Sequence, residues 1–429
     1  MDFAPDYSLV IFDLETIFEI KARKDCRSMD KESLKKPFKK MGRVKNCLVI
    51  YVVLLVLFVG LLCVARMIPY NLIEDNVDTS LEIINKEKVW GGDTALYTES
   101  TKLDSQTDSV MYGMLSNKED SPLLIRVFGG YPRYWHGYMV FLRPLSILFS
   151  YSQLRYLNWL VSGILSFCVL ELLNKRFGLP GIIAMGGSLM TMCAFVIPEC
   201  MQYISVFWIT LASMWCILKF PQYVQKKQVE FFFCVGMIVN FFDFLTYPLV
   251  TLGVPLALLG MFFGEKCLNI KKQFVFILQD SLAWGIGYGL CWGSKWILSS
   301  IVLKENIVKN ALNTMIFRTS GNEEYPLNRL QMMKDNIRQL FSVFWDNKLL
   351  IGGIAVILLI LVLVSFKNRK AKYFIPLLCI SIYPYIWYNV LANHSQIHYY
   401  FTYRTQMITV FAILAFVCEN VCGKKRAGG

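Results

Sequence analysis

"CLVIYVVLLVLFVGLLCVA", residues 47–65, contains no charged side chain. A bilayer core about 30 Å thick is crossed by roughly 20 apolar residues in an α-helix, so this stretch is long enough to span it. Backbone groups in hydrocarbon must bond within their own segment, which makes the span helical. It does not read as a cleavable signal peptide. Its upstream flank, "KARKDCRSMDKESLKKPFKKMGRVK", is too long and too basic, no small-residue cleavage site follows, and further apolar segments come later. The whole composition agrees: of 429 residues, 55% are hydrophobic and 17% charged, the balance of a membrane protein.

Further apolar runs fall near residues 153–173, 179–198, 200–219, 231–248, 250–264, 275–302, 349–366, 374–392 and 405–421. The fold class expected is therefore all-α, a polytopic membrane protein with about ten transmembrane helices. Three parts follow: a basic tail over 1–46, a transmembrane domain over 47–421 and a short basic tail over 422–429. The basic stretches "NKRFG", "KFPQYVQKK", "EKCLNIKK", "KNRKAK" and "GKKRAGG" alternate with segments poorer in lysine and arginine. By the positive-inside rule these are cytoplasmic, and both termini with them. Basic inner loops facing anionic lipid account for the net charge of +13, so no nucleic-acid partner is called for.

The outer side then carries segments near 67–152, 303–347 and 393–404. None of the 13 cysteines lies in those three segments, Cys200 at a predicted outer tip being the nearest, and no disulfide framework is expected. "YPRYWHGYMVFLRPLSILFSYSQLRYLN", residues 131–158, is interrupted too often by Arg133, His136, Arg143 and Pro144 to be an ordinary span. It is expected to form helices at the outer interface within a long first extracytoplasmic loop.

All three histidines, His136, His394 and His398, fall on the predicted outer side. His394 and His398 share one face if "LANHSQIHYYFTYR", residues 391–404, is helical. Arg404 sits where that turn re-enters the bilayer, a costly place for a guanidinium unless it meets an anion such as a phosphate. Two readings stand: an interfacial cap binding headgroups, or a substrate-facing turn. No carboxylate or cysteine stands nearby as a third metal ligand, so no metal site is assigned and a divalent metal ion stays an open option.

Among acids, Asp104 and Asp108 lie one helical turn apart in "LDSQTDSVMYG". A carboxylate at the membrane surface suits a general base acting on a hydroxyl, though a solvated acidic loop fits too, and "DNVDTSLE" with Asp75 and Asp78 would serve equally. Asp243 in "NFFDFLTYPLV" is a buried-charge candidate at a span end, or a helix-packing group alongside Asn240 and Thr246. Arg133, Arg143 and Arg155, near Trp135 and His136, could clamp a phosphate or snorkel to headgroups. No Walker loop, G-x-S-x-G elbow, H-E-x-x-H or dinucleotide fingerprint stands out.

"TDSVMYG", "RYWHGYMVFLRPL", "FDFLTYP" and "HSQIHYYFTYR" resemble segments of bacterial membrane proteins of surface-polysaccharide assembly. The arrangement from residue 47 onward resembles the GT-C superfamily of polytopic glycosyltransferases. That resemblance implies a polyprenyl-phosphate-linked sugar donor, a glycan or glycolipid acceptor, and transfer on the extracytoplasmic face of a bacterial plasma membrane. It implies an acidic base in the first outer loop, here Asp108 with Asp104, Asp75 and Asp78 in reserve. Arg404, His394, His398, Arg143, Arg133, His136, Tyr400 and Asp243 would hold substrate. The rivals are a lipid-linked oligosaccharide flippase and a polysaccharide polymerase or ligase.

Overall fold

The computed structural model describes residues 38–87, 99–115, 121–342 and 347–421, and every regular element among them is helical. The chain divides into residues 1–49 and a main unit of residues 50–429. Most of the expected N-terminal tail and all of the C-terminal tail lie outside the described residues. The helix α1, Phe38–Met67, begins before the apolar run and takes in the end of that tail. Pro37 stands immediately before its first residue, and no second proline follows until Pro69.

The first long connection does contain helices: α2 (Glu74–Lys86), α3 (Ser105–Gly113), and short turns of helix over Leu123–Phe128 and Met139–Leu145. The larger helices that follow are α4 (Tyr151–Phe177), α5 (Leu179–Thr191), α6 (Met201–Lys219), α7 (Gln228–Phe242), α8 (Val250–Glu265) and α9 (Ile270–Leu303). After them come α10 (Ile307–Ser320), α11 (Arg329–Leu340), α12 (Lys348–Ser365) and α13 (Met407–Val421).

Six helices among the described residues are long and apolar enough to cross a membrane: Gly42–Met67, Tyr151–Phe177, Met201–Lys219, Ile270–Leu303, Lys348–Ser365 and Tyr399–Val421. The other four expected spans are shorter or broken. In 179–198, α5 ends at Thr191, Cys193 takes a left-handed φ of 52° and a 3-10 turn containing Pro198 follows. In 231–248, Asp243 caps the end of α7 and closes a turn. The segment near 250–264 is the 16-residue α8. The segment 374–392 splits into Ile375–Ile380 and Tyr383–Val390, each with a proline in its first turn.

The exposed surface is that of a chain wrapped by lipid. On α12, Leu349 is 90% exposed and Val356, Ile357, Leu359, Ile360 and Leu363 are exposed beside it. On α1, Val52, Val53, Val56 and Val64 are exposed in the same way. A water-facing surface rarely carries apolar area on this scale, whereas hydrocarbon covers it without cost. By contrast α8 buries every residue from Val250 to Gly264 and forms the centre of the packing.

Its neighbours α7 and α9 make the most extensive helix pair. At Gly236 an added Cβ would lie 2.2 Å from the Trp284 carbonyl oxygen, and at Gly287 2.2 Å from that of Phe233. The absent side chains let the two backbones touch, as small residues do between membrane helices.

Connections gather at two ends. At one, Arg176 pairs with Glu265 at 2.7 Å, Lys266 donates to Gln225 at 3.0 Å, Gln273 donates to the Tyr373 carbonyl at 3.0 Å and Asn368 donates to the Asn420 carbonyl at 3.3 Å. These are the basic connections. The other end gathers the segments expected on the opposite face, and the candidate residues lie there.

Candidate functional site

Asp104 caps the N-terminus of α3, its carboxylate accepting from the Thr107 backbone N–H at 3.4 Å and from the Thr107 hydroxyl at 3.3 Å. From nearly 300 residues downstream, the Tyr400 hydroxyl donates to the same carboxylate at 3.3 Å. Tyr403 donates to the Ser100 carbonyl at 2.8 Å, and Arg404 donates to it at 3.3 Å. The first long connection and the turn before the last helix therefore meet, at Ser100 and Asp104.

Arg404 is completely buried, its guanidinium lying over the rings of Tyr203 at 4.4 Å and Tyr403 at 4.9 Å. Among the described residues it bonds to the carbonyls of Tyr400 and Ser100, both at 3.3 Å, and its Nε has no partner. Among the same residues the Tyr203 hydroxyl is unpartnered as well. A buried cation held by rings and long bonds keeps most of its capacity for an anion.

Asp108 differs. It is wholly buried and its oxygens accept from the Tyr151 hydroxyl at 2.6 Å, the Met201 N–H at 2.7 Å and the Gln202 N–H at 3.0 Å. The last two are free amides of the first turn of α6, where a carboxylate is favoured by both bonding and the helix dipole. Burial pushes its pKa up to about 6, while the three bonds pull it down and Asp104 adds to the rise. Asp108 ties α3 to α6 and α4, and its oxygens are occupied.

The expected roles of the other acids find no geometric support. Asp75 and Asp78 are exposed on the outer face of α2, opposite the buried Val77, Ser80 and Ile84. Asp243 accepts from both the backbone N–H and the hydroxyl of Thr246, holding a turn in which Leu245 has φ of 69°. Among the bases, Arg143 is buried and clamps the Ile68 carbonyl at 2.6 Å and the Leu115 carbonyl at 2.8 Å. Arg155 is held by Glu87 at 2.7 Å and faces Glu199 at 3.4 Å.

The histidines form a second group beside the first, with Phe401 between them. His398 stacks on Phe401 at 5.0 Å, His394 lies 4.7 Å from His398, and the Tyr203 ring lies 6.1 Å from that of Phe401. Arg318 of α10 donates to His394 Nδ1 at 2.5 Å. A guanidinium can only donate, so Nδ1 accepts, and His394 Nε2–H donates to the Leu245 carbonyl at 2.8 Å. Burial, Arg318 and His398 hold the His394 pKa well below its usual range, and burial with Arg318 takes His398 down to about 3. These imidazoles are neutral, so the cationic work attributed to them passes to Arg318.

His136 is buried with φ of 58°, bonded to the Tyr131 carbonyl at 2.9 Å, and burial with Lys295 lowers it to about 3. Arg133 lies 4.5 Å over the Tyr131 ring and donates to Tyr131 and Asn310. Among the described residues, no group of three or more His, Cys, Asp or Glu side chains could hold a metal ion.

Sequence reasoning missed Tyr203, Ser100, Tyr151 and Arg318. The three uncharged ones carry no signal of their own. Arg318 lies in the expected outer segment 303–347 but lacks the neighbouring tryptophan and histidine that mark the arginines near Trp135. No protein-family model matches the chain, and no curated protein or solved structure matches it either.

Proposed function

We propose that the chain is a membrane glycosyltransferase that moves a sugar from a polyprenyl-phosphate donor to a glycan or glycolipid acceptor on the extracytoplasmic face, with a GT-C-like arrangement. One observation carries the proposal: an acid of the first long connection and a buried, under-bonded arginine of the last turn converge, Asp104 being joined to Tyr400 at 3.3 Å and Arg404 to Ser100 at 3.3 Å. The basic connections gathered at the far end support an inward orientation for that end.

The chemistry needs two things on opposite sides of the anomeric carbon. An acceptor hydroxyl loses its proton to a carboxylate as its oxygen bonds to that carbon, and the bond from carbon to phosphate oxygen breaks with its electron pair leaving on the phosphate. Asp104 takes the base role rather than Asp108, because its three bonds are long while the three of Asp108 are short. Arg404, through its unpartnered Nε, steadies the phosphate. Asp104 is only 4% exposed, so the Tyr400 bond opens for the acceptor to enter. Asp108 positions α3 and hence Asp104.

Asp104→Asn tests this directly, since Asn caps a helix as well as Asp and leaves α3 intact. With a polyprenyl-phosphate sugar and a glycolipid acceptor, release of polyprenyl phosphate by the purified protein should fall by about 10²-fold or more. Near-normal release would remove Asp104 as the base. Passage of intact lipid-linked glycan between leaflets without release would favour a transporter.

A further inference from the structure

We propose that the groove between the C-terminal half of α9 and α10 binds the phosphate of an anionic membrane lipid, with Arg133 and Arg318 as its two ligands. Both arginines are among the residues that line this groove, together with Tyr134, Trp292, Trp296 and Met315. Among the described residues neither arginine meets a carboxylate. Arg133 is held by the neutral Tyr131 hydroxyl at 2.6 Å and Asn310 oxygen at 2.7 Å, and Arg318 by the neutral His394 Nδ1. Arg133 Nε has no partner among the described residues. Two cations beside one groove, each held by uncharged groups, repel each other until an anion arrives.

The walls say which anion. Trp292 and Trp296 both donate their indole N–H to the Arg133 carbonyl, at 2.9 and 3.1 Å, so their polar edges are spent and their rings present an apolar wall. On the same two helices Ile297, Ile301, Leu312 and Ile316 are exposed. Indole at the rim, arginine in the groove and bare aliphatic surface on the same helices match a headgroup phosphate with its acyl chains, where a free anion would have no use for the aliphatic surface. Arg318 joins the groove to His394 of the histidine group, and the inference holds whether or not the chain transfers a sugar.

The test is lipid retention by the purified full chain in detergent, read by native mass spectrometry with phosphatidylglycerol titrated against phosphatidylcholine. Wild type should retain phosphatidylglycerol in preference. Arg133→Gln combined with Arg318→Gln should lower that retention by about tenfold, while Lys334→Gln, which removes an exposed charge of α11 outside the groove, should leave it unchanged. As a check that needs no variant, a diazirine-bearing phosphatidylglycerol should label the peptides containing residues 292–296 and 311–318. Labelling confined to other peptides, equal loss in the Lys334→Gln control, or retention unaffected by the double substitution would overturn the proposal. Displacement of the lipid by millimolar inorganic phosphate would assign the groove to free phosphate instead.

Discussion

Two aspartates one helical turn apart in a single short helix do different physical work. Asp104 looks across to Tyr400 with bonds of 3.3 to 3.4 Å, whereas Asp108 faces three donors at 2.6 to 3.0 Å. The pKa of Asp108 makes its role measurable. An unfolded carboxyl titrates near 3.8 and the folded one near 6, so between those values the folded state holds the extra proton. Stability from this group is full below pH 3.8 and is lost as pH rises through about 6. Asp108→Asn removes that slope. The variant's deficit in melting temperature should therefore be larger at pH 5 than at pH 8, and an equal deficit at both would sink this account. The spacing of the pair was legible in "LDSQTDSVMYG"; which of the two faces the last turn was not, because the N-terminus of α6 that claims Asp108 lies 93 residues further along.

Among the helices, the pairing of α7 with α9 depends on glycines that the sequence does not single out from the other glycines of the chain. Gly236 and Gly287 each meet a facing carbonyl, whereas Gly289, in the same helix as Gly287, has open space around it. Gly236→Ala and Gly287→Ala should each destabilise the protein by about 1–3 kcal/mol or more through overpacking. Gly289→Ala should be neutral or stabilising by up to about 1 kcal/mol, since it gains only helix propensity. Thermal unfolding in detergent separates the three, and a similar loss at all three positions would rule out the close approach. Hydropathy located the apolar segments, but it passed over the breaks within 179–198, 231–248 and 374–392. Prolines near 376 and 384 and the Asp243 turn break segments whose average apolarity is unaffected by a break.

Taken together, the end of the main unit that bears the candidate residues buries three neutral imidazoles, His136, His394 and His398, each with a pKa below its usual value because burial and nearby cations oppose the charged form. In the unfolded chain they take up protons from about pH 6.5 downward, so their contribution to stability is present above that value and lost as pH falls toward 3. Melting temperature should fall between pH 7 and pH 5 despite the opposing slope of Asp108. A flat or rising profile would mean that these imidazoles are charged or solvated. Sidedness is separately testable. A membrane-impermeant thiol reagent should reach cysteines introduced at the exposed Thr79 and Glu323 from one face, and at Lys271 and Arg369 from the other. Labelling of all four from one side would undo the arrangement on which the proposed function depends.

The linear order of residues was enough to establish a helical membrane protein, the alternation of basic and base-poor connections, and the crowding of ionisable groups into a few of those connections. These follow from local quantities: the length of an apolar run against the thickness of a bilayer, and the charge between runs. Folding in three dimensions was needed to separate Asp104 from Asp108, to neutralise the histidines and bring Arg318 forward in their place, and to join residue 104 to residue 400. Those outcomes turn on burial and on partners nearly a hundred to three hundred residues away, and neither leaves a periodic trace along the chain.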